Sequence, residues 1–136
     1  MNFKISKIQH VGIPVTNLKN SVAFYSKLGF IEAMRAQFDH NDEKGNVVMM
    51  QSGDVIMELY EFPAKDLEEI RNRSHGHIDH IAFDVEDVEA VFQELQTAGY
   101  EIQEDAPVFL NFWNKGCKYF NITGPDGERL EFNQIL

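Results

Sequence analysis

Polar and apolar residues alternate over residues 6–15, and this period of two predicts a β-strand. Ile13 and Val15 lie on its apolar side, and His10 lies on the opposite side, away from the predicted core. Pro14 offers no N–H group to a neighbouring strand, so we expect the strand to end there or to lie near a sheet edge.

Helical spacing follows this strand, with a predicted N-cap at Asn17 and a predicted end at Gly29. The apolar positions that recur within the helix are Leu18, Val22, Tyr25 and Leu28. Further strands are predicted over residues 30–38, 47–51 and 55–62, separated by a polar turn or loop at residues 39–46 and a hairpin turn at residues 52–54. The first half of the chain therefore has the order β-α-β-β-β.

The second half repeats this order around His80. A strand is predicted over residues 77–85, and a helix follows between Asp87 as N-cap and Gly99. The remaining predicted segments are strands at residues 100–103, 118–122 and 128–135, an aromatic loop at residues 106–116 that lies over a pocket, and a β-turn at residues 124–127. We interpret the chain as one α+β domain of two duplicated βαβββ modules, at about residues 5–62 and 77–136, joined by a linker with a short helix at about residues 63–76.

One carboxylate interrupts the last apolar strand of each module. Neighbours along a strand point to opposite sides, so Glu58 and Glu131 leave the apolar side of their strands, as each histidine does. A single such residue is usually a solvated or satisfied side chain. Four in a repeated pattern indicate a site. The side of each sheet that its helix leaves uncovered can curve around a cavity, and we expect one shared cavity to receive His10, Glu58, His80 and Glu131.

This set of side chains is typical of a metal site. Two neutral imidazoles and two carboxylates balance the charge of one divalent cation and suit Ni, Zn, Co, Mn or Fe, among which the sequence does not choose. Without a cation, the two carboxylates would repel each other and desolvate poorly. We therefore predict one divalent metal ion as cofactor. The other histidines are interpreted as bystanders: His40, His75 and His77.

Charge and composition narrow the class of partner. The 136 residues carry a net charge of −10 and no cluster of Lys and Arg, which disfavours nucleic acid and anionic membranes. No apolar run approaches a membrane span, and the first residues lack the apolar core of a signal peptide. The single Cys117 excludes an internal disulfide framework. We expect a cytoplasmic protein that acts on a small molecule.

Five stretches resemble the glyoxalase I, or vicinal oxygen chelate, superfamily. They are HVGI at residues 10–13, SVAFYSKLGF at 21–30, VIMELY at 55–60, HIAFDV at 80–85 and GPDGERLEF at 124–132. The resemblance covers nearly the whole chain. It implies paired βαβββ modules, a divalent metal and substrates that bind it through neighbouring oxygens. The His, Glu, His, Glu set of glyoxalase I proper maps onto His10, Glu58, His80 and Glu131.

The resemblance implies a lyase or isomerase of the glyoxalase I type, with enediolate chemistry on an α-hydroxycarbonyl or hemithioacetal. Glu131 or Glu58 would move the proton, and the resemblance favours Glu131. Pro14 and Phe62 replace the Arg and Asn of such glyoxalases, so the thiol partner stays open. The predicted substrate-binding side chains are Tyr60, Phe109, Trp113 and Tyr119.

Two alternative functions and the mode of assembly remain open. Another enzyme of the superfamily, an epimerase or dioxygenase-like protein, shares the same modules. The other alternative is a metal-free resistance protein that sequesters a small molecule. The four candidate metal-binding side chains argue against it, because such a protein needs no metal. Relatives commonly form symmetric dimers, so we predict a homodimer. The linker at residues 63–76 is long enough for the modules to pair within one chain or to swap between two, and both arrangements remain open.

Overall fold

The computed structural model describes residues 2–27, 29–73, 78–123 and 129–136. These residues form two compact units. The N-terminal unit is His10–Asp79, and the C-terminal unit is His80–Leu136 together with Met1–Gln9. Within the described residues, no helix combines the length and the apolar character needed to cross a membrane.

The N-terminal unit has the predicted β-α-β-β-β order followed by a short helical segment. Its elements are β1 (Ile8–Pro14, of which His10 onward belongs to this unit), α1 (Leu18–Lys27), β2 (Ile31–His40), β3 (Glu43–Ser52), β4 (Val55–Glu61), a 3-10 turn (Ala64–Asp66) and α2 (Leu67–Arg71). The strand order is β2-β3-β4-β1, with β1 parallel to β4 and the other neighbours antiparallel. Helix α1 packs on one face through a core of Leu18, Val48, Met50 and Leu59.

The C-terminal unit repeats the plan. Its elements are β5 (His80–Asp84), α3 (Val88–Thr97), β6 (Val108–Leu110), β7 (Cys117–Thr123) and β8 (Arg129–Ile135). The strand order is β5-β8-β7-β6, with β5 parallel to β8. Helix α3 covers one face, and its core is Val85, Val88, Val91, Phe92, Leu95, Phe120, Ile122 and Phe132. The predicted α+β class with two βαβββ modules is confirmed.

The residues that precede His10 pair with the C-terminal unit. The backbone N–H of Ser6 donates to the carbonyl of Asp84 at 3.0 Å, and the N–H of Asp84 donates to the carbonyl of Lys7 at 2.9 Å. The ring of Phe3 meets that of Phe132 edge to face at 5.8 Å between centroids. Residues 2–9 therefore complete the C-terminal unit, and β1 continues from them into the N-terminal unit.

The two helices begin in the same way. Asn17 Oδ1 accepts from the N–H of Asn20 at 2.9 Å, and Asp87 Oδ1 accepts from the N–H of Ala90 at 3.0 Å, which confirms both predicted N-caps. A side chain from the last strand of each module holds the first helical N–H. These bonds are Leu18 N to Glu61 Oε2 at 2.7 Å and Val88 N to Gln134 Oε1 at 3.1 Å. The same contacts at matched positions support the duplication.

The polar turn or loop predicted at residues 39–46 is a turn, but it is much shorter than predicted. Strands β2 and β3 continue through this segment and meet in a two-residue turn at Asn41 and Asp42, whose φ angles are 48° and 62°. Positive φ at both central residues matches the right-handed twist of a hairpin, and Asn and Asp tolerate that conformation better than most residues. The prediction of a turn is therefore correct for the middle of the segment, and the strands extend through the rest of it.

The second strand of the second module also differs from the prediction. Residues 100–103 form only an isolated bridge, Ile102 to Ile122, while the strand is β6, inside the segment predicted as an aromatic loop. The edge of β7 explains the difference, because it pairs with β6 at one end and with residues 101–103 at the other. Leu28, His75, His77 and the predicted β-turn at residues 124–127 lie outside the described residues.

Candidate metal centre

The N-terminal unit brings His10 and Glu58 together. His10 Nε2 and Glu58 Oε2 are 3.4 Å apart, and His10 is only 2% exposed. Strands β1 and β4 run parallel with Gly12 opposite Glu58, so the histidine two residues earlier lies on the same face. Leu59 on the other face packs against α1, which leaves the pair on the helix-free side of the sheet.

The C-terminal unit forms the matching pair. His80 Nε2 and Glu131 Oε2 are 3.6 Å apart, and both residues are buried. Ala82 of β5 lies opposite Glu131 of β8, so the histidine again precedes the paired residue by two positions. Phe132 on the other face belongs to the core under α3. Each module thus builds one imidazole–carboxylate pair from the same parallel register.

The distances within the pairs fit two ligands of one cation better than a direct hydrogen bond. A nitrogen-to-oxygen hydrogen bond is about 2.7–3.2 Å long, whereas two donors bound about 2.1 Å from a tetrahedral ion lie about 3.4 Å apart. The pairs measure 3.4 and 3.6 Å. Burial of a carboxylate costs free energy unless a positive partner or hydrogen bonds compensate it, and a divalent cation is such a partner. The residues present therefore fit a metal.

Two side-chain amides form a chain of hydrogen bonds that ends on Glu131 of the His80–Glu131 pair. Asn133 Nδ2 donates to Glu131 Oε1 at 2.7 Å, and Gln9 Nε2 donates to Asn133 Oδ1 at 3.0 Å. Gln9, Asn133 and Glu131 are all buried. The bond to Oε1 leaves Oε2 as the oxygen that faces His80. Tyr60 occupies the position of the N-terminal unit that matches Asn133, two residues after its glutamate.

Gln9 and Asn133 are parts of the site that were not predicted from the sequence. The available signal was parity, because Asn133 follows Glu131 by two residues and therefore lies on the same side of the strand. No comparable signal exists for Gln9, because it precedes His10 and therefore points to the opposite side of an ideal strand. Its role depends on the pairing of the first residues with the C-terminal unit.

The predicted substrate-binding residues lie in different surroundings. Tyr60 is buried and meets Phe62 edge to face at 5.2 Å between ring centroids. Tyr119 of β7 lies opposite Asn133 and is partly buried. Trp113 is partly buried in the turn between β6 and β7, with a φ of 63°. Phe109 is 54% exposed, and its ring lies so close to Gly116 that a Cβ there would be 2.3 Å from Phe109 Cε2.

His40, interpreted as a bystander, lies at the tip of the β2–β3 hairpin. Its Nε2 is 3.3 Å from Asp66 Oδ2, and its ring is 4.6 Å from that of Phe62. Lys65 reinforces the same contact through Glu43 at 3.0 Å. These contacts hold the hairpin tip against the 3-10 turn. His40 therefore has a structural role there.

Comparison with known proteins gives a consistent family. A family model described as Glyoxalase/Bleomycin resistance protein/Dioxygenase superfamily matches residues 7–132. Uncharacterized protein YwbC of Bacillus subtilis (strain 168) is 27% identical over 134 residues, which cover 94% of this chain and 97% of that protein. The family match confirms the resemblance identified from the five sequence stretches.

Solved structures share the fold. Hypothetical protein BH1468 from Bacillus halodurans C-125 has a TM-score of 0.76 at 25% identity, covering 96% of this chain and 94% of that one. Methylmalonyl-CoA epimerase from Mycobacterium tuberculosis has a TM-score of 0.79 at 16% identity, covering 100% of this chain and 92% of that one. The similarity to the epimerase is one of fold alone.

Proposed function

Because the chain belongs to the glyoxalase/bleomycin resistance protein/dioxygenase superfamily, we propose that it is a metal-dependent lyase or isomerase of the glyoxalase I type. The observation that supports this proposal best is the repeated pair of imidazole and carboxylate, built in each module from the same strand register. A protein that only sequestered a ligand would not need four buried metal-binding side chains.

The proposed cofactor is one divalent ion held by His10, Glu58, His80 and Glu131. The donor set suits Ni, Zn, Co, Mn or Fe. When bound, such an ion supplies Lewis-acid stabilisation of negative charge on substrate oxygens. That both pairs serve a single ion is part of the proposal, and the ratio of metal to protein tests it.

Glu131 is the proposed base. Its Oε1 accepts the hydrogen bond of Asn133, so Oε2 is the atom that would take the proton from the carbon beside the carbonyl and return it to the neighbouring carbon. The amide of Asn133 fixes the carboxylate plane during this exchange. Glu58 is the alternative base. Two residues after it the chain has Tyr60, whereas two residues after Glu131 it has the supporting amide of Asn133.

The proposed substrate is an α-hydroxycarbonyl or hemithioacetal with two neighbouring oxygens. Pro14 and Phe62 stand where glyoxalases of this type place Arg and Asn for glutathione, so we propose no particular thiol. Tyr60, Tyr119, Trp113 and Phe109 are the proposed contacts for the rest of the substrate.

A second candidate is another proton-transferring enzyme of the superfamily. The fold similarity to methylmalonyl-CoA epimerase favours it, and an epimerase likewise needs a base beside an activated carbonyl. The chain differs from typical epimerases of that kind in having Glu58 rather than Gln at the second ligand position.

One experiment addresses both candidates. The purified protein is analysed for metal, loaded with each of the five ions in turn, and assayed with methylglyoxal plus several thiols and with methylmalonyl-CoA. His80→Ala should lose metal and turnover, while His40→Ala, in the hairpin tip, should lose neither. Metal uptake with epimerisation alone would favour the second candidate. Failure to bind any of the ions would refute both and leave a metal-free binding protein.

We also propose a cytoplasmic homodimer. Strand β2 is the outer strand of its sheet, and Ile31 on it is 70% exposed. An outer strand with exposed apolar residues favours association with a second copy. Sedimentation at micromolar concentration tests the dimer, and a monomer there would refute it.

A further inference from the structure

Asn121 lies beside the second imidazole–carboxylate pair, and the proposed function gives it no role. It lies opposite Glu131 in the antiparallel β7–β8 ladder. Its neighbours Phe120 and Ile122 point into the core under α3, so Asn121 shares the helix-free face with Glu131. The matching position of the N-terminal unit, opposite Glu58, is the apolar Met49.

The backbone of Asn121 shows how close this pair is. Its carbonyl accepts from Gln103 N at 2.9 Å, and its N–H donates to Glu104 Oε2 at 2.6 Å. Both backbone groups are therefore directed away from β8, which makes Asn121 and Glu131 a non-hydrogen-bonded pair of the ladder. Such pairs have the shorter separation, about 4.5 Å between Cα atoms, and the closer side chains.

Glu104 fixes the orientation of the Asn121 side chain. Glu104 Oε1 accepts from Asn121 Nδ2 at 2.7 Å, while Oε2 takes the backbone N–H of the same residue. Bonds to a carboxylate are short and strong, and two of them to one residue remove its freedom to turn. The amide nitrogen is thus committed to Glu104, and the oxygen Oδ1 must point elsewhere.

That oxygen is buried and lacks a donor. Asn121 is 5% exposed, and Oδ1 has no hydrogen-bond partner among residues 2–27, 29–73, 78–123 and 129–136. A buried acceptor without a partner costs free energy, so its retention needs a reason. Because an amide oxygen only accepts, the missing group must carry an N–H or O–H.

We propose that Asn121, held by Glu104, selects substrates that carry a hydroxyl group next to the carbonyl, by accepting the hydrogen bond of that hydroxyl at Oδ1. This inference rests on the proposed function, because it assumes that the substrate binds beside Glu131. It makes Asn121 a specificity residue and Glu104 a positioning residue. A 2-oxo compound of the same size offers no such proton, and its oxygen would face that of the amide.

Lactate and pyruvate are suitable probes, since they have equal carbon skeletons and both offer two neighbouring oxygens, but only lactate has a hydroxyl proton. Their dissociation constants are measured by calorimetry on the metal-loaded protein, and no turnover is needed. Asn121→Leu should reduce the preference for lactate over pyruvate by about tenfold, the usual effect of one buried hydrogen bond. Metal affinity should stay within about twofold.

The control is Gln103→Leu, because Gln103 Nε2 bonds to Thr123 Oγ1 at 3.1 Å between the same two segments but is exposed. It should leave the preference unchanged. If Asn121→Leu does not fold, Glu104→Gln, whose side chain is only partly buried, should reduce the preference in the same direction.

The outcomes separate the two proposals. A wild-type protein that takes up no metal refutes the proposed function and, with it, this inference. A metal-loaded protein that binds neither probe, or keeps the same preference after Asn121→Leu, refutes only the inference. A loss of metal affinity with an unchanged preference would also overturn it, because Asn121 would then support the metal centre and not the substrate hydroxyl.

Discussion

Asn133→Leu should destabilise the protein far more than a surface amide replacement. Asn133 links Gln9 to Glu131 through bonds of 3.0 and 2.7 Å, and all three residues are buried. Leucine has similar volume but neither donates nor accepts. The change therefore removes the supporting hydrogen bond from a buried carboxylate and the acceptor from a buried amide, without creating a large cavity.

The size of the effect follows from these two losses. A hydrogen bond to a charged group contributes about 1.5–3 kcal/mol, and a buried neutral donor left without its acceptor costs about 1–3 kcal/mol. Burial of the additional apolar surface of leucine stabilises the variant by about 1 kcal/mol. We expect the free energy of unfolding to fall by about 1.5–5 kcal/mol, a large part of the roughly 5–15 kcal/mol typical of a domain.

The assay is urea unfolding in the presence of a chelator, so that metal does not contribute. The chain offers a matched control, since Gln37 Nε2 donates to Asn46 Oδ1 at 3.3 Å between neighbouring strands at the surface. Asn46→Leu should change the free energy of unfolding by less than about 0.5 kcal/mol. Equal effects of the two replacements, or an effect of Asn133→Leu below about 1 kcal/mol, would refute the supporting role of the amide chain.

Three further predictions concern the proposed centre. Chelation should lower the unfolding free energy, by about 2.7 kcal/mol where free metal had been at 100 times its dissociation constant, and calorimetry should find no such change in His10→Ala. Glu131→Gln should keep the fold and the metal but lose turnover, because an amide can still offer an oxygen to the metal but cannot take a proton; near-normal turnover with full metal content would move the base to Glu58. If the modules swap between chains, mixing inactive His10→Ala and His80→Ala proteins should restore about one active site per mixed dimer, whereas unswapped chains should regain no activity in the same assay.

Local sequence was sufficient for the helices and for the ligand strands. Apolar residues at helical spacing follow directly after Asn17 and after Asp87, and both residues cap their helices as predicted. Glu58 and Glu131 could be assigned to a face because a strand has a strict period of two and each glutamate has apolar neighbours. These features depend on a few adjacent residues, and so they can be predicted from one sequence.

Features that depend on distant pairing could not be predicted in this way. The polar residues 39–46 have the composition of a loop, but β2 and β3 hold them in a hairpin because the turn can take positive φ. Residues 100–103 and 108–110 both have strand-like composition, and only the edge of β7 decides which of them pairs fully. Asn121 looks like any exposed polar strand residue until the partner strand is known.

The placement of the first residues in the C-terminal unit determines where the chain could be cut into fragments. Residues 2–9 complete the C-terminal unit, although the remainder of that unit begins only at His80. A fragment that stops at residue 79 would carry a strand segment whose partner is absent, and the complementary fragment would lack both Gln9 and the backbone that pairs with Asp84. In a circular permutant that starts at His10 or at His80, with the original termini joined, each unit would be one uninterrupted stretch of sequence.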